Sequence, residues 1–175
     1  MVVSNSDSRV SMQQTHQLSY CVWIKPNSIP TEFPVLLSKG GNQQPGDYGG
    51  YEVSLNANGD HDLLFISGNY MTGTGGNWIN NKIGQWIHVA FTIDTTAQTA
   101  QFYVNGEPTG DTVTLQGGFA DVNFELTNNL YLAAPDPAAN GNRANFDGDM
   151  RQVLLYNRVL TAQEIHDIFS RTNPK

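Results

Sequence analysis

Residues 146–165 read Phe146-Asp147-Gly148-Asp149-Met150-Arg151-Gln152-Val153-Leu154-Leu155-Tyr156-Asn157-Arg158-Val159-Leu160-Thr161-Ala162-Gln163-Glu164-Ile165. A glycine turn leads into an apolar strand over Met150 to Tyr156, the chain breaks briefly, and a capped helix begins. Thr161-Ala162-Gln163-Glu164 is a capping box, in which Thr161 caps the helix start and Glu164 reaches back. Ile165, Ile168 and Phe169 then recur at helical spacing. They predict one short helix near 162–170 whose apolar stripe packs on the body of the protein.

Upstream of this stretch the pattern is that of strands. Leu18 to Lys25 alternates, with Leu18, Tyr20, Val22 and Ile24 on one face and Ser19, Cys21, Trp23 and Lys25 on the other, until Pro26 stops it. Val35 to Ser38 is a short apolar run. Tyr51 to Leu55 alternates and runs toward an Asn58-Gly59 turn, followed by Leu63 to Ser67. Trp86 to Ile93 alternates, and Ala100 to Asn105 enters Asn105-Gly106, a strong hairpin signal. Leu130 to Ala133 completes the set. Many strands spaced by turns with one late helix argue an all-β, two-sheet antiparallel sandwich of jelly-roll type. Its inner faces are expected to include Val22, Ile24, Leu36, Val53, Leu55, Leu64, Ile87, Val89, Phe91, Phe102, Val104, Leu130, Leu132, Val153 and Leu155. Segments 40–50, 68–84 and 135–147 read as irregular, the kind of loop that carries function.

Composition narrows the partners. At 175 residues the chain, 1–175, is expected to be a single domain with a sizeable core. The net charge of −7 and the scatter of Lys and Arg argue against phosphate backbones and anionic membranes as partners, hence no nucleic acid. No apolar run approaches the roughly 18 residues of a membrane span, so no membrane insertion is expected. The one cysteine, Cys21, forms no internal disulfide and falls in an apolar strand pattern, which suits a buried free thiol. No secretory signal opens the sequence, which says little about compartment.

Three segments, in order, carry a resemblance. Leu18-Ser19-Tyr20-Cys21-Val22-Trp23-Ile24-Lys25-Pro26 is similar to an early strand motif. Gly84-Gln85-Trp86-Ile87-His88-Val89-Ala90-Phe91-Thr92-Ile93-Asp94 with Phe102-Tyr103-Val104-Asn105-Gly106 is similar to a core hairpin. The third is the C-terminal stretch quoted above, preceded by Leu130-Tyr131-Leu132-Ala133. Together they resemble laminin-G-like domains of the concanavalin A-like lectin/glucanase superfamily, which implies a concanavalin A-like sandwich over nearly the whole chain. Two features depart from that family. A strand often found upstream of the Val2 to Asn5 region is not evident, so either the chain is trimmed or its first strand is short. Arg151 and Gln152 stand where members often carry acidic residues.

The resemblance leaves the chemistry open. Glucanases of the superfamily look like sandwiches with carboxylates alternating along one strand, and hydrolysis needs two of them across the scissile bond. This sequence offers only Asp60 with Asp62, in a turn, and Asp147 with Asp149, around Gly148. No catalytic residue is therefore assigned and the chain is expected not to be an enzyme. No Gly-x-Ser-x-Gly elbow occurs, His88 reads as a core or inter-sheet histidine with its hydrogen bond satisfied, and four dispersed histidines make a poor zinc set. Calcium fits better: the resemblance implies a cation at a loop rim, and Asp136, Asn142, Asp147 and Asp149 offer oxygen ligands. The alternative is that they are ordinary turn formers.

A neutral sugar needs an aromatic platform and a few placed polar groups. Trp78 is the best candidate, with Tyr70 and Asn80 beside it in sequence. Tyr48 is a second platform, and Arg143 a guanidinium able to fork onto vicinal hydroxyls or an acidic sugar. Each has a plainer reading: aromatics folded onto the sandwich edge, a solvated arginine. Trp23 and Trp86 read as framework, although Trp23, opposite the Leu18/Val22/Ile24 face, would join the platform if it surfaced. The expectation is a non-catalytic carbohydrate-binding or adhesion module of a larger secreted or surface protein, taking a glycan or cell-surface polysaccharide as partner. The rivals are a structural or protein-interaction module of a phage or cell-surface protein and, behind it, a polysaccharide hydrolase or lyase.

Overall fold

The computed structural model describes residues 1–3, 12, 14–28, 32–40, 50–55, 61–66, 70–75, 79, 81–114, 129–137 and 143–174, with backbone only at 2–3, 61–66, 70–75, 111 and 113. The strands in chain order are β1 (Val2–Val3), β2 (Gln17–Pro26), β3 (Phe33–Gly40), β4 (Gly50–Leu55), β5 (His61–Ile66) and β6 (Tyr70–Gly75). They continue as β7 (Ile87–Asp94), β8 (Thr99–Val104), β9 (Glu107–Thr114), β10 (Leu130–Leu132), β11 (Arg143–Asn145) and β12 (Gly148–Tyr156), and the chain ends in helix α1 (Ala162–Thr172). Among the described residues they form two sheets. The front sheet runs β1-β10-β3-β4-β5-β6 with β11 added along β3, and the back sheet runs β12-β2-β7-β8-β9. All these pairings are antiparallel except β11 on β3.

Alternation sorts the back sheet. Leu18, Tyr20, Val22 and Ile24 of β2 pair with Ile93, Phe91, Val89 and Ile87 of β7, and all eight are buried in the core. Phe91 extends the contact to Tyr20 at 5.8 Å and to Phe102 of β8 at 6.1 Å between ring centroids. From the front sheet, Leu36, Leu37, Tyr51, Val53, Leu55, Leu130 and Leu132 meet them. Each such side chain stabilises the fold by about 1.5–3 kcal/mol when fully buried. Of the expected inner residues, Val104, Val153 and Leu155 pack half-buried against this core, and the side chain of Leu64 lies outside the described residues.

The Asn105-Gly106 hairpin turns as its sequence requires. Both residues have positive φ, 52° and 84°, which two-residue hairpin loops of this kind need. A Cβ on Gly106 would also come within 2.9 Å of the Phe169 ring, so the turn doubles as a seat for the helix. Gly148 has a different reason: a Cβ there would collide with the Lys25 carbonyl oxygen, where β12 begins to pair with β2.

Helix α1 starts on its capping box, with both reciprocal hydrogen bonds present at Thr161 and Glu164. Its apolar side lies on the outward face of the back sheet. Ile165 is buried with Cys21, Ala90, Tyr103 and Leu160, and Phe169 stacks on Trp23 with centroids 5.6 Å apart. Trp23 is framework, as read from the sequence: it is 2% exposed, and its indole N–H donates to the Thr172 hydroxyl at 2.8 Å. One expectation is corrected. His88 lies beneath the helix rather than between the sheets, and neither ring nitrogen has a hydrogen-bond partner among the described residues. Two segments read as irregular contain strands. Tyr70–Gly75 forms β6 despite two glycines, and Arg143–Asn145 forms β11 with no apolar residue larger than alanine.

A candidate ligand-binding face on the front sheet

The outward row of the front sheet follows from the inward one. In Tyr51-Glu52-Val53-Ser54-Leu55 the odd-numbered residues enter the core, so Glu52 and Ser54 point the other way. Register places Ser38 beside Glu52 and Val35 beside Ser54, and a bulge between Val35 and Leu37 lets both Leu36 and Leu37 stay inside. Tyr131 continues the row from β10, opposite Ser38, while its neighbours Leu130 and Leu132 are in the core. Strand β11 completes it by laying Arg143 beside Phe33.

These groups form a compact polar cluster. Arg143 Nε lies 2.6 Å from Glu52 Oε1, and the two side chains are only 9% and 4% exposed. The guanidinium carbon stands 5.2 Å from the centre of the Phe33 ring. Burial pushes the Glu52 carboxyl above its usual range, and the charge and hydrogen bonding of Arg143, with Ser54, pull it partly back. The Ser38 hydroxyl donates to the Gly40 carbonyl at 3.0 Å and accepts from the Asp136 backbone N–H at 3.4 Å. Chemically the row offers a carboxylate, a guanidinium and hydroxyls beside two aromatic rings, the groups that hold hydroxylated ligands.

The expected site residues fall in several places. Arg143 is in the cluster as the partner of Glu52 rather than a solvated side chain, and Asp136 reaches it through its backbone. The Asp136 side chain is buried near Lys39; burial lowers the Lys39 ammonium and the Asp136 charge raises it. Asp147 instead holds a turn: it accepts from Ser28 Oγ at 2.7 Å and Asn27 Nδ2 at 3.1 Å, and these bonds keep its carboxyl below the usual range. Asp149 faces Lys25 across β12 and β2 at 4.0 Å. The structure thus does not bring Asp136, Asp147 and Asp149 together, and among the described residues no three His, Cys, Asp or Glu side chains are placed to share a metal ion. Tyr70 opens β6 paired with Ile66. Trp78, Tyr48, Asn80 and Asn142 lie outside the described residues. Glu52, Phe33 and Tyr131 were not expected as site residues, although the alternation around Glu52 was visible in the sequence.

Residues 3–166 match the family model described as the concanavalin A-like lectin/glucanases superfamily, of laminin-G type. The chain belongs to this family. No protein with a curated description matches it in sequence. Among solved structures, the laminin-G-like fold seen here is similar to the Ruminococcus gnavus IT-sialidase CBM40, with 17% identity, 87% of this chain and 82% of that one covered, and a TM-score of 0.67. It is similar to the heptameric SAP-like pentraxin of Limulus polyphemus, with 17% identity, coverage of 88% and 70%, and a TM-score of 0.62. A Trypanosoma rangeli sialidase bound to 2,3-difluorosialic acid gives 21% identity and a TM-score of 0.64, covering 91% of this chain. The chain spans only 24% of that sialidase's length. At such identities the likeness is one of fold.

Proposed function

We propose that this laminin-G-like chain is a non-catalytic carbohydrate-binding or adhesion module of a larger secreted or surface protein, and that it holds a glycan on the outward face of the front sheet. The observation that carries the reading is the buried Arg143–Glu52 pair on that face, flanked by Ser54, Ser38, Phe33 and Tyr131. A buried ion pair contributes little to stability compared with apolar residues of the same size; Glu52, Ser38 and Ser54 are all but closed to solvent, so the pair fits a role in positioning the half-buried Phe33 and Tyr131, the surface a glycan would meet. The row supplies one described carboxylate, Glu52, whereas glycoside hydrolysis needs two across the scissile bond. The similarity to a sialidase CBM40 supports a carbohydrate partner. Trp78, Tyr70, Tyr48 and Asn80 stay in the proposal as candidate ligand-binding residues, and it needs no calcium.

A glycan array tests the reading. A specific signal with a Kd in the roughly micromolar-to-millimolar range is expected for one copy, strengthened by repeated display on a surface. The signal should fall at least tenfold in Arg143→Lys, which keeps the charge and loses the planar fork, and it should fall in Trp78→Ala. A blank array with folded protein would move the reading to a structural or protein-interaction module. Turnover of oligosaccharides would move it to an enzyme.

A further inference from the structure

His88 sits on the outward row of the back sheet, where register pairs it with Trp23. Helix α1 closes over both. The imidazole centroid is 5.3 Å from the Trp23 ring and 5.9 Å from Phe169, the residue is 1% exposed, and neither nitrogen has a hydrogen-bond partner among the described residues. An imidazole so placed is tolerated only while neutral, since a buried charge without a partner is costly.

The two ends of the helix are held differently. At the N-terminal end, Thr161 and Glu164 cap each other, Arg158 forks onto Glu164 at 2.7 and 3.0 Å, and the Leu160 N–H donates to Ser19 Oγ at 2.9 Å. The hydrogen bonds from Arg158 and Thr161 hold the Glu164 carboxyl down at about 2, so this end keeps its charge through mild acid. The C-terminal end rests on Phe169 over Trp23, His88 and Gly106, on Ile168 against the neighbouring apolar cluster, on the contact of His166 with Glu107, and on a hydrogen bond from the Trp23 indole to Thr172.

The geometry points to a proton-triggered release: protonation of His88 unseats Phe169 and the last turns of α1 from the back sheet, while the capped start of the helix and the two-sheet body stay in place. Burial lowers the docked imidazole from 6.5 to about 4. The docked form therefore binds fewer protons than the released form. Its advantage is complete above pH 6.5 and is lost progressively as pH falls toward 4, by about tenfold in the docked-to-released ratio per pH unit. Among the described residues, the other groups around the site leave His88 without a charged partner. Cys21 on β2 is pushed up to about 12 and Tyr103 on β8 is raised, both by burial, so they stay neutral in acid. Arg151 on β12 is stacked on Trp86 at 4.5 Å, and on β9 Glu107 lies 3.9 Å from His166 of the helix. Asp167 and Arg171 lie 3.8 Å from each other on α1, and among the described residues none of these carboxylates ion-pairs with His88. Release would uncover Trp23, which is buried when the helix is docked, and the covered side of the half-buried Phe169.

Hydrogen exchange on the full chain, corrected for intrinsic rates, reads this directly. Between pH 6.5 and 4.5, amides of residues 166–172 should gain up to tenfold in exchange per pH unit while those of 87–94 keep their protection. His88→Leu should flatten the response and His166→Gln should leave it in place. A flat profile in the unmodified protein, an unchanged response in His88→Leu, or loss of protection at 87–94 in step with the helix would overturn the proposal. If His88→Leu does not fold, an NMR titration of His88 decides. A midpoint well below 6.5 accompanied by shifts in residues 165–172 supports release, and a midpoint near 6.5 or a silent helix refutes it.

Discussion

On the outward face of the back sheet, Cys21, Trp23, His88, Ala90 and Tyr103 lie beneath a helix. On the outward face of the front sheet, Ser38, Glu52, Ser54 and Arg143 hold hydroxyl groups and charge. Both rows are buried, yet they are built from opposite chemistries. The apolar row gains stability from area removed from water, and α1 supplies the partner surface. The charged row costs desolvation free energy, which the Arg143–Glu52 contact offsets in part. A face of the second kind is hard to explain by stability, which supports the glycan site proposed for it.

The largest expected effect tests that contrast directly. Removing the guanidinium, Arg143→Met, leaves the Glu52 carboxylate buried without its cation and should cost about 3–5 kcal/mol in denaturant unfolding. Replacing both with Met should cost far less, because the uncompensated charge is gone. The double variant should nevertheless lose glycan binding. A double variant as unstable as Arg143→Met would mean the pair is framework, and the contrast between the faces would collapse.

On the apolar face, Phe169→Ala removes the ring that covers Trp23 and His88. The position is half-buried, so a loss of about 2–3 kcal/mol is expected, at the lower end of Phe→Ala effects in cores. Glycan binding should be unchanged at the temperature where the variant is folded, since the helix and the charged row lie on different sheets. Loss of binding in folded protein would tie the two faces together.

The two faces should also answer acid with opposite signs. Glu52 has a folded pKa above its ordinary 4.5, so the cost of its charge is present above the folded value and is relieved as pH falls through it. His88, lowered to about 4, loses stability over the window from 6.5 down to 4. Stability against pH should therefore fall less steeply in His88→Leu, and its rise toward the Glu52 titration should vanish in Glu52→Gln. Chemical denaturation at half-unit steps from pH 7 to 4 separates the two.

Much of this was legible in the alternation of apolar residues. Rows such as Leu18/Tyr20/Val22/Ile24 and Ile87/Val89/Phe91/Ile93 announce strands with one buried face, and Thr161 with Glu164 announces the helix start. What alternation does not reveal is the cover on the opposite face. Trp23 and His88 stand on a row that could equally meet water, and only the packing of Phe169 buries them. Strands β6 and β11 escaped because glycine and short polar residues carry no period; their pairing comes from neighbours distant in sequence. Arg143 was recognised as a polar candidate, but its partner Glu52 was not, since the two are 91 positions apart and meet only through β11 lying parallel to β3.

The smallest expected effect concerns Asp149, whose carboxylate stands 4.0 Å from Lys25 with both side chains well exposed. Exposed pairs contribute roughly 0–1 kcal/mol, so Asp149→Asn should change unfolding free energy by less than about 0.5 kcal/mol. That near-silence sharpens the comparison, because the same charge chemistry is expected to matter several-fold more at Glu52, where water is excluded. The variant also bears on calcium. If Asp149 ligates a cation with Asp136 and Asp147, chelation should lower the midpoint of thermal unfolding in the unmodified protein, and the shift should disappear in Asp149→Asn. If Asp149 serves only its partner Lys25, chelator will leave both proteins where they were, and a large loss on this single substitution would have no source in the contacts seen here.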